Sequence, residues 1–256
     1  METRSNVLVT GGSRGIGLAL AQRYARTGAR VMVTGRHAAT LRRAARDNPG
    51  METVVSDIAD PASRTELAEH VVQVMPDLDI VVNNAGIQRR VALAADTAPW
   101  TERAREVEIL LGGPVHLNDL LIPVLLAHGR PATIVNVTSG GAFVPQPFAP
   151  LYSAAKAALH SYTVNLRFAL RDTAVRVTEL IPPAVATTLS GLNDPHGASV
   201  DDFADAVFPK LATDLEIGFG PTGTDEFRAA RRQERDTFTA FAARFPTAVY
   251  AAPPAH

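Results

Sequence analysis

Six short runs rich in Val, Ile and Thr alternate with helix-patterned segments along the first two-thirds of the chain, and this alternation most restricts the fold. The runs lie at residues 6–10, 30–34, 53–55, 80–83, 133–138 and 176–181. Most are continuously apolar. Strands buried on both faces read this way, as in a parallel sheet covered by helices. Between the runs, residues 15–27, 38–47, 63–74, 101–128 and 152–172 carry helical patterns. Gly28 follows the first of these where a C-cap glycine belongs. Right-handed crossovers then give an α/β doubly wound parallel sheet with helices on both faces, in a single domain over residues 1–256. Past residue 198 the pattern predicts one or two helices, a short segment at 216–218 and an Arg-rich helical extension at about 224–245. Residues 251–256, rich in Ala and Pro, are expected to fray.

Composition narrows the chemistry. The chain has no cysteine, which excludes disulfides, thiolate metal sites and a Cys nucleophile. The seven histidines are scattered without metal-ligand spacing, so no catalytic metal is expected. A net charge of −1 gives no reason to expect nucleic acid or an anionic membrane as partner. The opening METRSNVLVTGG has neither an apolar signal core nor a cleavage site, and no apolar run approaches the roughly 18–20 residues that span a bilayer. The expectation is a cytoplasmic protein. Lys156 and Lys210 are the only lysines, so the position of each is informative.

Residues 10–17 read Thr10-Gly11-Gly12-Ser13-Arg14-Gly15-Ile16-Gly17, between a strand and a helix. Gly11 permits the tight turn, Gly15 lets the backbone approach a pyrophosphate, and Gly17 allows close helix–strand packing. The helix N-terminus offers its N–H groups and dipole to the phosphates. The second run ends Thr34-Gly35-Arg36, where a site for NAD usually carries an acid for the ribose 2′-OH. A guanidinium binds a 2′-phosphate that a carboxylate would repel. With Arg14 as a second cation, Arg36 points to NADP(H).

Tyr152-Ser153-Ala154-Ala155-Lys156 opens a helical pattern, so Tyr152 and Lys156 share one face, a turn apart. Ser139 ends a strand thirteen residues earlier, and ligands of open α/β sheets sit at strand C-termini. A phenol, an ammonium and a hydroxyl together suit carbonyl chemistry. The ammonium lowers the pKa of the phenol for proton transfer, and the hydroxyl stabilises charge on the substrate oxygen.

In family order and spacing, Thr10-Gly11-x-x-x-Gly15-x-Gly17, Asn83-Asn84-Ala85-Gly86, Ser139 and Tyr152-x-x-x-Lys156 resemble the short-chain dehydrogenase/reductase family over roughly residues 5–220. The resemblance implies a single Rossmann-like domain of about seven strands and an NADP(H)-dependent oxidoreductase. It implies Ser139, Tyr152 and Lys156 as catalytic residues, with Tyr152 and Lys156 also touching the cofactor. Asp57 and Ile58 take the place of the adenine contacts. Asn83, Ala85 and Gly86 belong to the motif beside the adenine ribose. Pro182, Val185 and Thr187 lie in the segment that holds the carboxamide. The family's usual helix pairing, through 101–128 and 152–172, implies a homodimer or homotetramer.

Two departures stand out. Leu110 falls where the family usually has an Asn that completes a proton relay. Gly112, Gly113 and Pro114 follow at once and can distort the helix unaided, leaving the Leu110 carbonyl to hold the relay water. Pro182-Pro183-Ala184-Val185-Ala186-Thr187 replaces the commoner Pro-Gly and resembles a bacterial subgroup of the teichoic-acid D-alanylation-associated type.

Residues 87–90, 140–149 and 187–198 are expected to wall the substrate site. The middle stretch is apolar and aromatic, favouring a small hydrophobic ketone or alcohol. Arg89 and Arg90 are read as solvated, with an acidic substrate group as the alternative. The segment 187–200 is read as the substrate loop, and its part 191–200 has the composition of a lid. Two other readings stay open: an epimerase, dehydratase or cyclase on the same fold, and a non-catalytic NADP(H) sensor.

Overall fold

A computed structural model describes residues 5–189 and 196–251. The strands are β1 (Asn6–Val9), β2 (Arg30–Gly35), β3 (Glu52–Val55), β4 (Ile80–Asn83), β5 (Ala132–Val137), β6 (Val175–Ile181) and β7 (Glu216–Gly218). All pair in parallel, in the order β3-β2-β1-β4-β5-β6-β7. The helices are α1 (Gly15–Arg26), α2 (Ala38–Asp47), α3 (Pro61–Val74), α4 (Trp100–Val107), α5 (Gly113–Ala127), α6 (Pro150–Ala169), α7 (Val200–Val207) and α8 (Asp225–Ala242). The strand order reverses at β1/β4, and a cleft opens there at the strands' C-terminal ends.

The apolar strands bury both faces, as their composition requires. Val7, Val9, Val31 and Val33 pack with Ala19 and Leu20 of α1 and Phe203 and Val207 of α7. Leu8, Met32, Val81 and Ile134 point the other way, onto Leu67 of α3 and Leu117 and Leu121 of α5.

Four local readings change. The third helix begins at Pro61 because Asp60 caps it, accepting from the Ala62 N–H, with Pro61 in the first turn. The segment at 216–218 is an edge strand. The helix expected over 101–128 is α4, a π turn at Glu108–Gly112, and α5. The distortion anticipated from Gly112-Gly113-Pro114 is therefore present. Trp100–Ala127 is also long and apolar enough, by length and composition, to cross a membrane, contrary to the sequence reading. Half of its most apolar window is buried within the fold, as in a core helix.

Candidate active site

The glycine turn is held by the end of β4. Thr10 Oγ1 accepts from the N–H groups of Asn84 and Ala85 at 3.0 and 3.1 Å. Asn84 Nδ2 donates back to the carbonyls of Thr10 and Gly11. Gly11 has φ +63°, and a Cβ there would lie 2.8 Å from the Ala85 backbone. A Cβ on Gly17 would meet Asn84 Nδ2 at 2.3 Å and the Gly11 carbonyl at 2.7 Å. Neither position admits a side chain without displacing the Asn84–Ala85 segment or the turn itself. No side chain caps the first turn of α1, so its N–H groups remain available to a ligand.

Ser139 follows β5 and caps a short 3₁₀ turn, Gly140–Ala142, its Oγ accepting from the Gly141 N–H at 3.1 Å. Tyr152 and Lys156 lie on α6, both buried. Lys156 Nζ donates to the Val137 carbonyl at 2.6 Å and stands 5.9 Å from the centre of the Tyr152 ring. Burial pushes the ammonium down to about 8, against the opposing charge of Glu179. Burial also raises the Tyr152 phenol. The interaction with Ser139 pulls it down, and the Glu106 carboxylate adds to the rise. The phenol's net direction is upward, opposite to the lowering by Lys156 expected from the sequence, because burial is the largest effect on it.

Of the site residues named from the sequence, all but Gly17 and Asn83 line one continuous cleft. It runs from Arg14, Arg36, Asp57 and Ile58 past Gly11, Gly15, Ala85 and Gly86 to Ser139, Tyr152 and Lys156, and closes over Pro182, Val185 and Thr187. Gly17 is buried behind the turn. Asn83 is turned into the sheet, donating to Asn118 Oδ1 at 2.8 Å and Asn136 Oδ1 at 2.9 Å, so Asn84 takes its place in the cleft. Asn118 is held in that same buried network and does not replace the missing relay Asn. Burial would raise the carboxyl of Asp57, but Arg105, the Ala59 N–H and Arg36 hold it below the usual carboxylate range. Leu110 is fully buried against Ala149, Tyr152 and Ala155.

Two expected substrate walls meet. Gln88 Nε2 donates to Gln146 Oε1 at 3.2 Å, and the Arg90 guanidinium covers the Phe148 ring at 4.4 Å. Arg89 is not solvated: it is only 17% exposed and paired with Asp96 and Glu102. Of the expected loop, Thr187, Thr188 and Leu189 line the cleft, while residues 190–195 lie outside the described residues. A parallel bridge between Val185 and Ala198 joins its two ends.

Residues 5–196 match the short chain dehydrogenase family. The chain belongs to that family. DltE of Bacillus subtilis, described as an uncharacterised oxidoreductase, is 43% identical over 188 residues, covering 73% of this chain and 74% of that one. The 1-deoxy-11-beta-hydroxypentalenate dehydrogenase of Streptomyces avermitilis is 35% identical over 221 residues, covering 82% of each. A short chain dehydrogenase from Burkholderia cenocepacia in complex with NADP superposes with TM-score 0.75 at 26% identity, over 95% of this chain and 98% of that one. A Burkholderia phymatum member in complex with NAD superposes with TM-score 0.79 at 19% identity, over 99% and 98%. The protein is thus an oxidoreductase of the short-chain dehydrogenase/reductase type, from a family that uses nicotinamide cofactors.

The sequence reading passed over Glu179 and His160. One signal for each was present: a carboxylate inside the apolar run of β6, and a histidine one turn beyond Lys156.

Proposed function

We propose that the protein is an NADP(H)-dependent reductase or dehydrogenase that interconverts a carbonyl and an alcohol on a small hydrophobic substrate in the cytoplasm. The observation that carries this reading is the shared cleft, in which a buried phenol, ammonium and hydroxyl lie beyond an uncapped glycine turn. A dinucleotide fits that cradle: the crowded Gly11 and Gly17 hold the turn tightly against the Asn84–Ala85 segment, and the helix N-terminus faces the cleft with free donors. Gly11, Ser13, Gly15 and Ile16 would hold its phosphates. Exposed Arg14 and Arg36, with no carboxylate ending β2, would take a 2′-phosphate.

The nicotinamide, when bound, supplies or accepts the hydride. Ser139 Oγ accepts from Gly141 and stands beside the Tyr152 phenol, so its hydroxyl would meet the substrate oxygen together with Tyr152. The raised phenol of Tyr152 keeps its proton near neutrality, as an acid for carbonyl reduction must. Lys156 would orient the nicotinamide ribose. Its charge, beside that of the oxidised ring, would favour phenolate in the reverse direction. Val144 and Phe148, both exposed, offer apolar surface on one expected substrate wall. Pairing through α4–α5 and α6 would make a homodimer or homotetramer.

The test is Tyr152→Phe, assayed with NADPH against a panel of hydrophobic ketones. Turnover is expected to fall about 10²–10⁴-fold, the usual worth of a positioned acid–base group, with NADPH affinity retained. Unchanged turnover would overturn Tyr152 as the acid; no reduction of any ketone by the unaltered protein would favour an epimerisation, dehydration or cyclisation, toward which the apolar Leu110 beside Tyr152 points.

A further inference from the structure

A second set of charged side chains lies behind the catalytic cleft, and none of them lines it. Glu179, in β6, is completely buried. Its Oε1 accepts from Thr138 Oγ1 at 2.6 Å, and Thr138 immediately precedes Ser139. Its Oε2 lies 2.8 Å from Nδ1 of His160. His160 is one turn beyond Lys156 and two beyond Tyr152, so all three share a face of α6. Its other nitrogen lies 3.0 Å from Glu234 Oε1, on α8. Glu234 Oε2 accepts from Arg231 Nη1 at 2.5 Å. The Arg231 guanidinium covers the Phe143 ring at 4.1 Å, and that ring stands edge-on to His160 at 4.7 Å.

A neutral imidazole donates through one nitrogen only. Here a carboxylate faces each nitrogen, and both are satisfied only when both nitrogens carry protons. Burial works against the cationic ring, but Glu179 and Glu234 outweigh it and raise His160 above its ordinary range. The surrounding charges come from every packed element. They are Glu179 of β6, Glu216 of β7, and Glu234, Arg231 and Arg235 of α8, with Lys156 and Arg167 on α6 itself. Among the described residues Lys156 has no salt bridge, and the charge of Glu179 works against the burial that lowers it.

We propose that Glu179 is a positioning residue: anchored by His160 and Thr138, it stands as the counter-charge behind Lys156 and fixes the strand end that carries Ser139, while Glu234 fastens α8 to this pair. The proposal rests on reading Lys156 as a catalytic group. It also draws α8, which lies beyond the stretch matching the family, into the support of the site.

The test is an NMR titration of the full-length chain labelled with ¹³C-lysine. Only Lys156 and the exposed Lys210 give signals, so Lys210 is an internal reference. Glu179→Gln is expected to move the Lys156 titration down by about one pH unit. His160→Gln can still donate to Glu179 but lacks the cation, and it should move the titration up. Opposite shifts, with Lys210 unmoved, support the proposal; an unmoved Lys156 in either variant overturns it. If Glu179→Gln does not fold, His160→Gln alone decides. In the carbonyl-reduction assay, the alkaline limb of kcat/KM should follow the Lys156 titration in each variant. Lys156 shifting while that limb stays fixed would leave the network standing and remove Lys156 from the chemistry.

Discussion

The proposed cofactor half of the cleft and its proposed catalytic half are built in opposite ways. The first is made of backbone: glycines too crowded for a Cβ, an uncapped helix start, and the solvent-facing arginines Arg14 and Arg36. The second is made of buried side chains, in which an ammonium, a phenol and a carboxylate are each shielded from water. A charge at the surface costs little to hold and is easily exchanged. A buried charge needs support: Lys156 donates to the Val137 carbonyl and feels the charge of Glu179, which His160 links to α8.

This contrast can be broken or sharpened by experiment. The largest effect is expected at Lys156. Its folded value, about 8, is depressed below its ordinary 10.5. Between those values the unfolded chain binds the extra proton, so stability rises with pH through that window. At neutral pH the buried ammonium is a net cost, of about 3 kcal/mol at one pKa unit per 1.36 kcal/mol. Lys156→Met should therefore be inactive yet more stable near pH 7 in chemical denaturation, and its advantage should shrink as pH rises from about 8 toward 10.5. A variant less stable at every pH would show that the ammonium is fully compensated.

A smaller effect is expected at the exposed end. In calorimetry the protein should bind NADPH at least tenfold more tightly than NADH, a gap of about 1.4 kcal/mol. Replacing Arg14 and Arg36 together should erase the gap and leave the fold intact. Equal binding by the unaltered protein would mean that both arginines are merely solvated.

The smallest change is expected at Leu110→Asn. The π turn already bends the helix at this point, so turnover should change by about tenfold or less, one general acid–base group being worth far more. A rise above a hundredfold would show that the helix geometry does not replace the missing amide. The new amide would also enter an apolar cluster, and a modest loss of thermal stability is expected.

What could be read from the sequence follows the same division. The turn at 10–17 was legible because its chemistry is local: strand, glycines and helix lie within a dozen residues. Tyr152 and Lys156 were legible because four residues make one helical turn. Asn83 was placed one residue too far into the cleft, because strand side chains alternate and a motif does not reveal which way each faces. Arg89 was taken as solvated because its partners, Asp96 and Glu102, form an ion cluster that has no linear pattern. The link from Glu179 to His160 and Glu234 was illegible for the same reason. Its members are 19 and 74 residues apart and meet only after β6, α6 and α8 have packed.

The π turn at Glu108–Gly112 has one more consequence. An α-helix advances each residue by about 100°, and a π turn inserts one residue without breaking the axis. The helical run from Trp100 to Ala127 therefore behaves as two screws of the same pitch joined out of phase. On the first, Glu106 accepts from the Arg89 N–H beside the expected substrate wall. On the second, Leu117, Leu121 and Leu125 mesh with the sheet. Deleting one residue between 108 and 112 would bring the two screws into phase, and only one of these faces could then keep its partner.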